Sequence, residues 1–118
     1  MQIIERRVGA VTILDLKGKM TLGEGDELLK DKINELIFAD RKEIILRLDE
    51  LRYVDAAGMA EIVRCYTTVA RRGGKLKLLA LSPQISGLLD ITKLRTCFEI
   101  FEDENEAVRS FTNQPTAT

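Results

Sequence analysis

Any chemistry in this chain has to be done with few tools. There is no histidine among the 118 residues, and the only cysteines are Cys65 and Cys97. Triads that rely on a His base are therefore excluded, and two isolated thiols cannot supply the four ligands of a tetrahedral zinc site. Each cysteine lies among apolar residues in the sequence and is expected to be a small buried hydrophobe. No carboxylate pair stands out to share general acid and base work. What remains is LRYVDAAGMAE, Leu51 to Glu61, whose order of residue types predicts a strand feeding a loop and then a helix. Proteins often place a phosphate or a reactive side chain at such a helix N-terminus. Asp55 suits the cap position, where its carboxylate accepts from orphan N–H groups of the first turn, a contribution of about 1 kcal/mol. Gly58 keeps the helix start free of side-chain bulk, so that a partner or a phosphate can approach the backbone. Between them stand Ala56 and Ala57, which carry no reactive atom. A second loop, GKMTLGEGDE, places Thr21, Gly23 and Gly25 ahead of another predicted helix, with neither dinucleotide nor Walker spacing. It is read as a neighbour of the Asp55 turn and not as a nucleotide clamp.

Composition narrows the partners. The chain is 45% hydrophobic and 31% charged, as expected of one globular domain large enough to fold on its own core. Its 18 basic and 19 acidic residues are interspersed, for a net charge of -1. No basic stripe is available to neutralise phosphates, so nucleic acid is not an expected partner. No apolar run approaches the roughly 20 residues that cross a bilayer. The first residues, MQIIERRVGA, carry acid and base in place of an apolar signal core, and a cytoplasmic location without membrane insertion is the expectation. No motif calls for a cofactor or a metal.

The elements that must position the turn follow from periodicity. IIERR and VTILDLKG read as two strands joined at Val8-Gly9-Ala10 in an antiparallel pair. Leu29, Ile33, Leu36 and Ile37 fall at helical spacing in a segment from Glu24 or Asp26 to Phe38, with acids in its first turn. EIILRLD, Glu43 to Asp49, and KLKLLAL, Lys75 to Leu81, have the apolar density of strands covered on both faces. Between them Met59, Ile62, Val63, Tyr66, Val69 and Ala70 trace a helical stripe that stops at Arg71-Arg72-Gly73-Gly74. Glu61 and Arg64 fall off that stripe and are expected to be solvated. Strand, helix and strand make a βαβ unit with parallel strands. Ser82-Pro83 starts a third helix, CFEIF is a short strand, and EDENEAVRSF a last helix. The order β, β, α, β, α, β, α, β, α describes an α/β domain with helices against a small mixed sheet. In such sheets the functional surface lies beyond the carboxyl ends of the parallel strands, where the Asp55 turn falls.

From Val54 to Val108 the succession VDAAGMAEIVRCYTTVARRGGKLKLLALSPQISGLLDITKLRTCFEIFEDENEAV resembles the STAS domain, the fold of bacterial anti-sigma factor antagonists. The family pattern opens its second helix with Asp-Ser-Ser/Thr-Gly-Leu and closes it with Arg-Gly-Gly. A Pro-started helix then ends in Leu-x-x-Thr-Gly-Leu, followed by Phe and an acidic terminal segment. The resemblance implies a STAS-type fold, a small mixed sheet of about five strands with about four helices, over residues 1–111, with 112–118 a polar, disordered tail.

It also implies a function. In such antagonists a serine of the turn is phosphorylated by an anti-sigma factor that is also a kinase. The unphosphorylated antagonist binds that factor and so frees the sigma factor. Asp55, Gly58 and Met59 match the motif, whereas Ala56 and Ala57 occupy both positions that could hold the phospho-acceptor. The resemblance thus implies a non-catalytic module that binds an anti-sigma factor of serine-kinase kind. Its contact surface would run over Asp55, Gly58, Met59, Glu61, Thr21, Gly23 and Gly25, with a homo-dimer or larger assembly left open. The alternative is a STAS subunit of a stress-signalling scaffold or of a lipid-transport complex. The family glycine after Leu-x-x-Thr is Lys93 here, which costs about 1 kcal/mol if that position is left-handed. A receiver domain would need further carboxylates at the end of an early strand to hold Mg²⁺. The early strands end instead in Arg7 and Lys17-Gly18.

Overall fold

A computed structural model describes residues 1–112. Of the segment 112–118, expected as a tail, Thr112 closes the last helix and the rest lies outside the described residues. The chain runs β1 (Gln2–Val8), β2 (Val11–Met20), α1 (Asp26–Phe38), β3 (Glu43–Val54), α2 (Ala56–Arg71), β4 (Lys75–Leu79), α3 (Pro83–Ile91), a 3₁₀ turn (Arg95–Cys97), β5 (Ile100–Phe101) and α4 (Glu104–Thr112). The strands form one sheet in the order β1-β2-β3-β4-β5. β1 pairs antiparallel with β2, and all other pairs are parallel. Five strands and, among the described residues, four helices make up the expected small mixed α/β domain.

Alternation along the strands divides the core in two. Leu14, Leu16, Ile44, Leu46, Leu76 and Leu78 face α1, α2 and α3. Val11, Ile13, Ile45 and Leu79 face the other way, onto Ala107 and Phe111 of α4. The helices start where their caps predict. The Asp55 side chain accepts from Gly58, and the Ser82 side chain accepts from Ile85 with Pro83 in the first turn. Gly73, at φ 80°, ends α2 in the left-handed conformation that glycine takes without strain.

Three expectations need correction. β3 runs to Val54 rather than Asp49, because it carries two bulges against β2. Asp15 pairs with Arg47 but Lys17 with Glu50, and Gly18 pairs with Leu51 but Lys19 with Tyr53. Each bulge adds one residue to β3, so its buried positions continue at Leu51 and Val54, three apart instead of two. At the other end of the fold, β5 keeps only Ile100 and Phe101, since Arg95–Cys97 is wound into the 3₁₀ turn. Cys97 is exposed there, whereas Cys65 is buried as expected. Lys77, in the middle of β4, is 2% exposed. Its ammonium group meets the Ser110 hydroxyl at 2.8 Å and the Glu99 carboxylate at 3.0 Å, and lies 4.3 Å from the centre of the Phe111 ring. The buried cation thereby pins α4 to the sheet.

Candidate functional site

The long β3 delivers Asp55 beside the end of β2, and the Asp55 carboxylate joins the two loops there. One oxygen accepts from the Gly58 N–H at 2.8 Å and caps α2. The other accepts from the Leu22 N–H at 3.2 Å, in the loop between β2 and α1. The Asp55 N–H in turn donates to the Met20 carbonyl at 3.3 Å. The same carbonyl explains Gly58, since a Cβ there would sit 2.2 Å from the Met20 oxygen and 3.0 Å from a Val54 methyl. The helix start can approach β2 this closely only with glycine at 58. That glycine is buried, so its role is internal packing and not the open approach of a partner to the backbone.

The neighbouring loop is equally well defined. Thr21 and Glu24 exchange two backbone hydrogen bonds, 2.8 and 3.0 Å, around Gly23 at φ 82°. Gly25, at φ 89°, turns the chain into α1. Thr21, Gly23, Gly25, Asp55 and Gly58 are thus brought together around the end of β2. Leu22 stands out from this loop at 78% exposed. Ala56 is exposed and Ala57 half-buried. Among the described residues their N–H groups have no acceptor within the protein, so the positive end of the α2 dipole faces outward.

Like Gly58, two further residues expected on the contact surface are buried. Met59 is buried, packed into the main core. Glu61 is 5% exposed. Its position three residues after Gly58 and four before Cys65 puts it on the inner edge of α2, facing α1. One of its oxygens accepts from Arg64 at 3.1 Å and the other from the Cys65 thiol at 3.4 Å. Burial, reinforced by the Glu61 carboxylate, pushes the Cys65 thiol pKa far up, so this sulfur is not a nucleophile. Arg64 is exposed as expected.

Other residues shape the site without a motif to announce them. Gln84 of α3 accepts from the Val54 N–H at 3.1 Å and donates to the Val54 carbonyl at 3.4 Å, fixing the end of β3. Between α2 and α3, Tyr53, Ala56, Met59, Ala60, Leu88 and Leu94 line an open apolar groove of about 480 Å³. The hydrophobic spacing of α3 suggested only a core face, so the groove was not apparent from the sequence. With the Asp55 carboxylate occupied by two backbone donors, the two loops at this end of the sheet are tied to each other. Among the described residues, no three His, Cys, Asp or Glu side chains converge to hold a metal ion.

Comparison with known proteins agrees with this fold. The STAS domain model matches residues 2–107. The chain is 26% identical over 109 residues to the anti-sigma F factor antagonist of Paenibacillus polymyxa, spanning 92% of each protein. It is 31% identical over 88 residues to the anti-sigma-B factor antagonist of Listeria monocytogenes, 71% of this chain and 77% of that one. Among solved structures, the anti-sigma factor antagonist SpoIIAA in its unphosphorylated form superposes with a TM-score of 0.72 at 20% identity. That match covers 96% of this chain and 100% of SpoIIAA.

Proposed function

The chain belongs to the STAS domain family, and on that premise we propose that it is an anti-sigma factor antagonist without the usual phosphorylation switch. It binds an anti-sigma factor of serine-kinase kind and so influences sigma-dependent transcription, working in the cytoplasm where that machinery resides. The names of its relatives in Paenibacillus and Listeria support the partner class. The observation that carries the mechanism is the double hold of Asp55 on Leu22 and Gly58. It fixes the loop and the helix start before any partner arrives, so that little ordering is left to oppose association. Ala56 and Ala57 keep this surface in the uncharged, binding-competent state. A phosphate at either position would act by repulsion rather than by unfolding, because the helix N-terminus tolerates an anion.

Two experiments test the proposal. Incubation with candidate anti-sigma kinases and labelled ATP is expected to leave the protein unlabelled, and stoichiometric labelling at any residue would overturn the loss of the switch. A pull-down from the source cell is expected to capture a kinase-like anti-sigma factor, and to lose it when Ala57→Asp is the bait. Capture of a membrane ATPase or of a large homologous particle would move the protein to a scaffold or transport assembly instead.

A further inference from the structure

The two edges of the sheet differ. β5 ends it with two residues, whereas β1 leaves seven, Gln2–Val8, along the other side. Gly9, at φ 62°, and Ala10 close the β1–β2 hairpin in two residues, which makes Val8 and Val11 a hydrogen-bonded pair. Pairs alternate from there, so Arg6, Ile4 and Gln2 use their backbone groups on β2, while Ile3, Glu5 and Arg7 turn theirs outward. Among the described residues, none of these outward groups has a backbone partner. Charges ordinarily protect such an edge, but those of β1 are already compensated within the chain. Arg6 holds Asp15 at 2.7 Å and Glu104 at 2.9 Å, and Glu5 takes Lys32 and Arg7 at 3.2 Å each. An open strand of this kind is a template for a further strand.

We propose that β1 pairs antiparallel with β1 of a second copy of the chain, about a twofold axis at Arg6. This register sets Glu5 opposite Arg7 of the other copy, twice, on the face that Ile3 turns to the main core. On the α4 face it sets Ile4 opposite Val8, also twice. Sliding the strands by two residues brings Glu5 against Glu5 in one direction and Arg7 against Arg7 in the other, and like charges directly opposite weaken a strand pair. A slip of one residue would turn each set of side chains to the wrong face. The same residues therefore favour one register and disfavour its neighbours, a self-complementarity that selects a second copy over an unrelated strand. The axis brings the two Arg6 guanidinium groups together, but each already lies between two carboxylates. A strand pair of this length is smaller than the ~1,200 Å² at which stable interfaces begin, so association in the micromolar range is expected. Because the paired strands run in opposite directions, the two Asp55 turns point to opposite ends of the joint sheet. The pairing goes beyond the antagonist reading and does not depend on it; only the consequence that one dimer holds two anti-sigma factors rests on that reading.

The test needs only the full chain and two variants. Sedimentation equilibrium of the wild type from about 5 to about 500 μM is expected to show a monomer–dimer equilibrium. Over the same range, hydrogen exchange of the ¹⁵N-labelled chain is expected to slow at the amides of Ile3, Glu5 and Arg7, which face the open edge, and to stay constant at Ile4 and Arg6. Arg7→Glu and Glu5→Arg each set like charges opposite one another in the dimer, and each is expected to weaken it at least about tenfold. Mixed in equal amounts, the two variants restore opposite charges at every such pair and are expected to associate with each other as the wild type does with itself. That recovery also shows that both variants are folded. A wild type that stays monomeric throughout, outward amides that exchange at one rate at all concentrations, or a mixture no more associated than its components would overturn the proposal. A dimer equally strong in both variants would overturn it too, since another face would then hold the copies together. If the dimer behaves as expected and the pull-down captures no anti-sigma factor, the antagonist reading fails and the strand pairing stands. If the factor is captured by a chain that remains monomeric, the pairing fails and the antagonist reading stands.

Discussion

Gly58 shows how one residue type can be right for a reason the sequence does not display. From the motif alone it reads as an opening for a partner, but its missing Cβ is filled by the chain itself, in the Met20 carbonyl. Gly58→Ala would force the helix start off β2. Overpacking of this kind typically costs about 1–3 kcal/mol, and urea unfolding is expected to register a loss in that range, with the Leu22 amide exchanging faster as the Asp55 bridge loosens. Wild-type stability in that variant would mean that α2 does not press on β2. The cysteines divide in the same local way. Cys97, exposed at the 3₁₀ turn, should react with a thiol reagent in the native protein. Cys65 should react only after denaturation, because burial and Glu61 suppress its thiolate. Counting modified thiols before and after adding denaturant checks this, and two fast-reacting native thiols would contradict the packing of α2.

At the scale of elements, what was legible in the sequence is what periodicity encodes. The antiparallel β1–β2 pair, the α2 stripe and the Ser82-Pro83 start all follow from alternation, helical spacing or caps. The continuity of β3 was hidden, because two bulges turn a period of two into steps of three, so that the strand Glu43 to Asp49 and the strand signal from Leu51 do not read as one element in a single register. The inward side of Glu61 was hidden too, since a polar residue beside an apolar stripe is usually solvated. Here α1 covers it and a thiol and a guanidinium satisfy it. The tie between β1 and α1 is likewise polar. Partial burial works to raise the Glu5 carboxyl pKa, but Lys32, at 3.2 Å, and Arg7 outweigh it and hold Glu5 below its ordinary value of 4.5. A carboxyl lowered on folding stabilises the native state above its unfolded pKa, and that contribution is lost as pH falls through the folded value. Wild type should therefore be more stable than Glu5→Gln at pH 7, with the difference fading below about pH 4.5. A difference that persists in acid would place the effect of Glu5 in packing rather than charge.

For the whole molecule, the proposed recognition surface lies at one end of the sheet, whereas most of the core lies along its length. The core lies on both faces of the sheet, under α1 to α3 on one side and α4 on the other. The proposed docking end is made of loops and the first turn of α2, tied by backbone hydrogen bonds to Asp55 and seated on the core through Met20, Val54 and Met59. A charge added there should therefore change binding without changing the fold. Ala57→Asp places a carboxylate at the N-terminus of α2, where the helix dipole favours it by about 0.3–1 kcal/mol. Ala56→Asp places one on the exposed wall of the groove. Thermal unfolding of both variants is expected at or slightly above the wild-type midpoint. Their affinity for the anti-sigma factor should fall at least tenfold, as an uncompensated charge is brought against a surface that otherwise meets an uncharged turn. If affinity fell only in step with stability, the effect would be one of folding and the turn would not be the point of contact. If both quantities stayed at wild-type values, the partner would dock elsewhere, and the two alanines would be no more than a comfortable helix start.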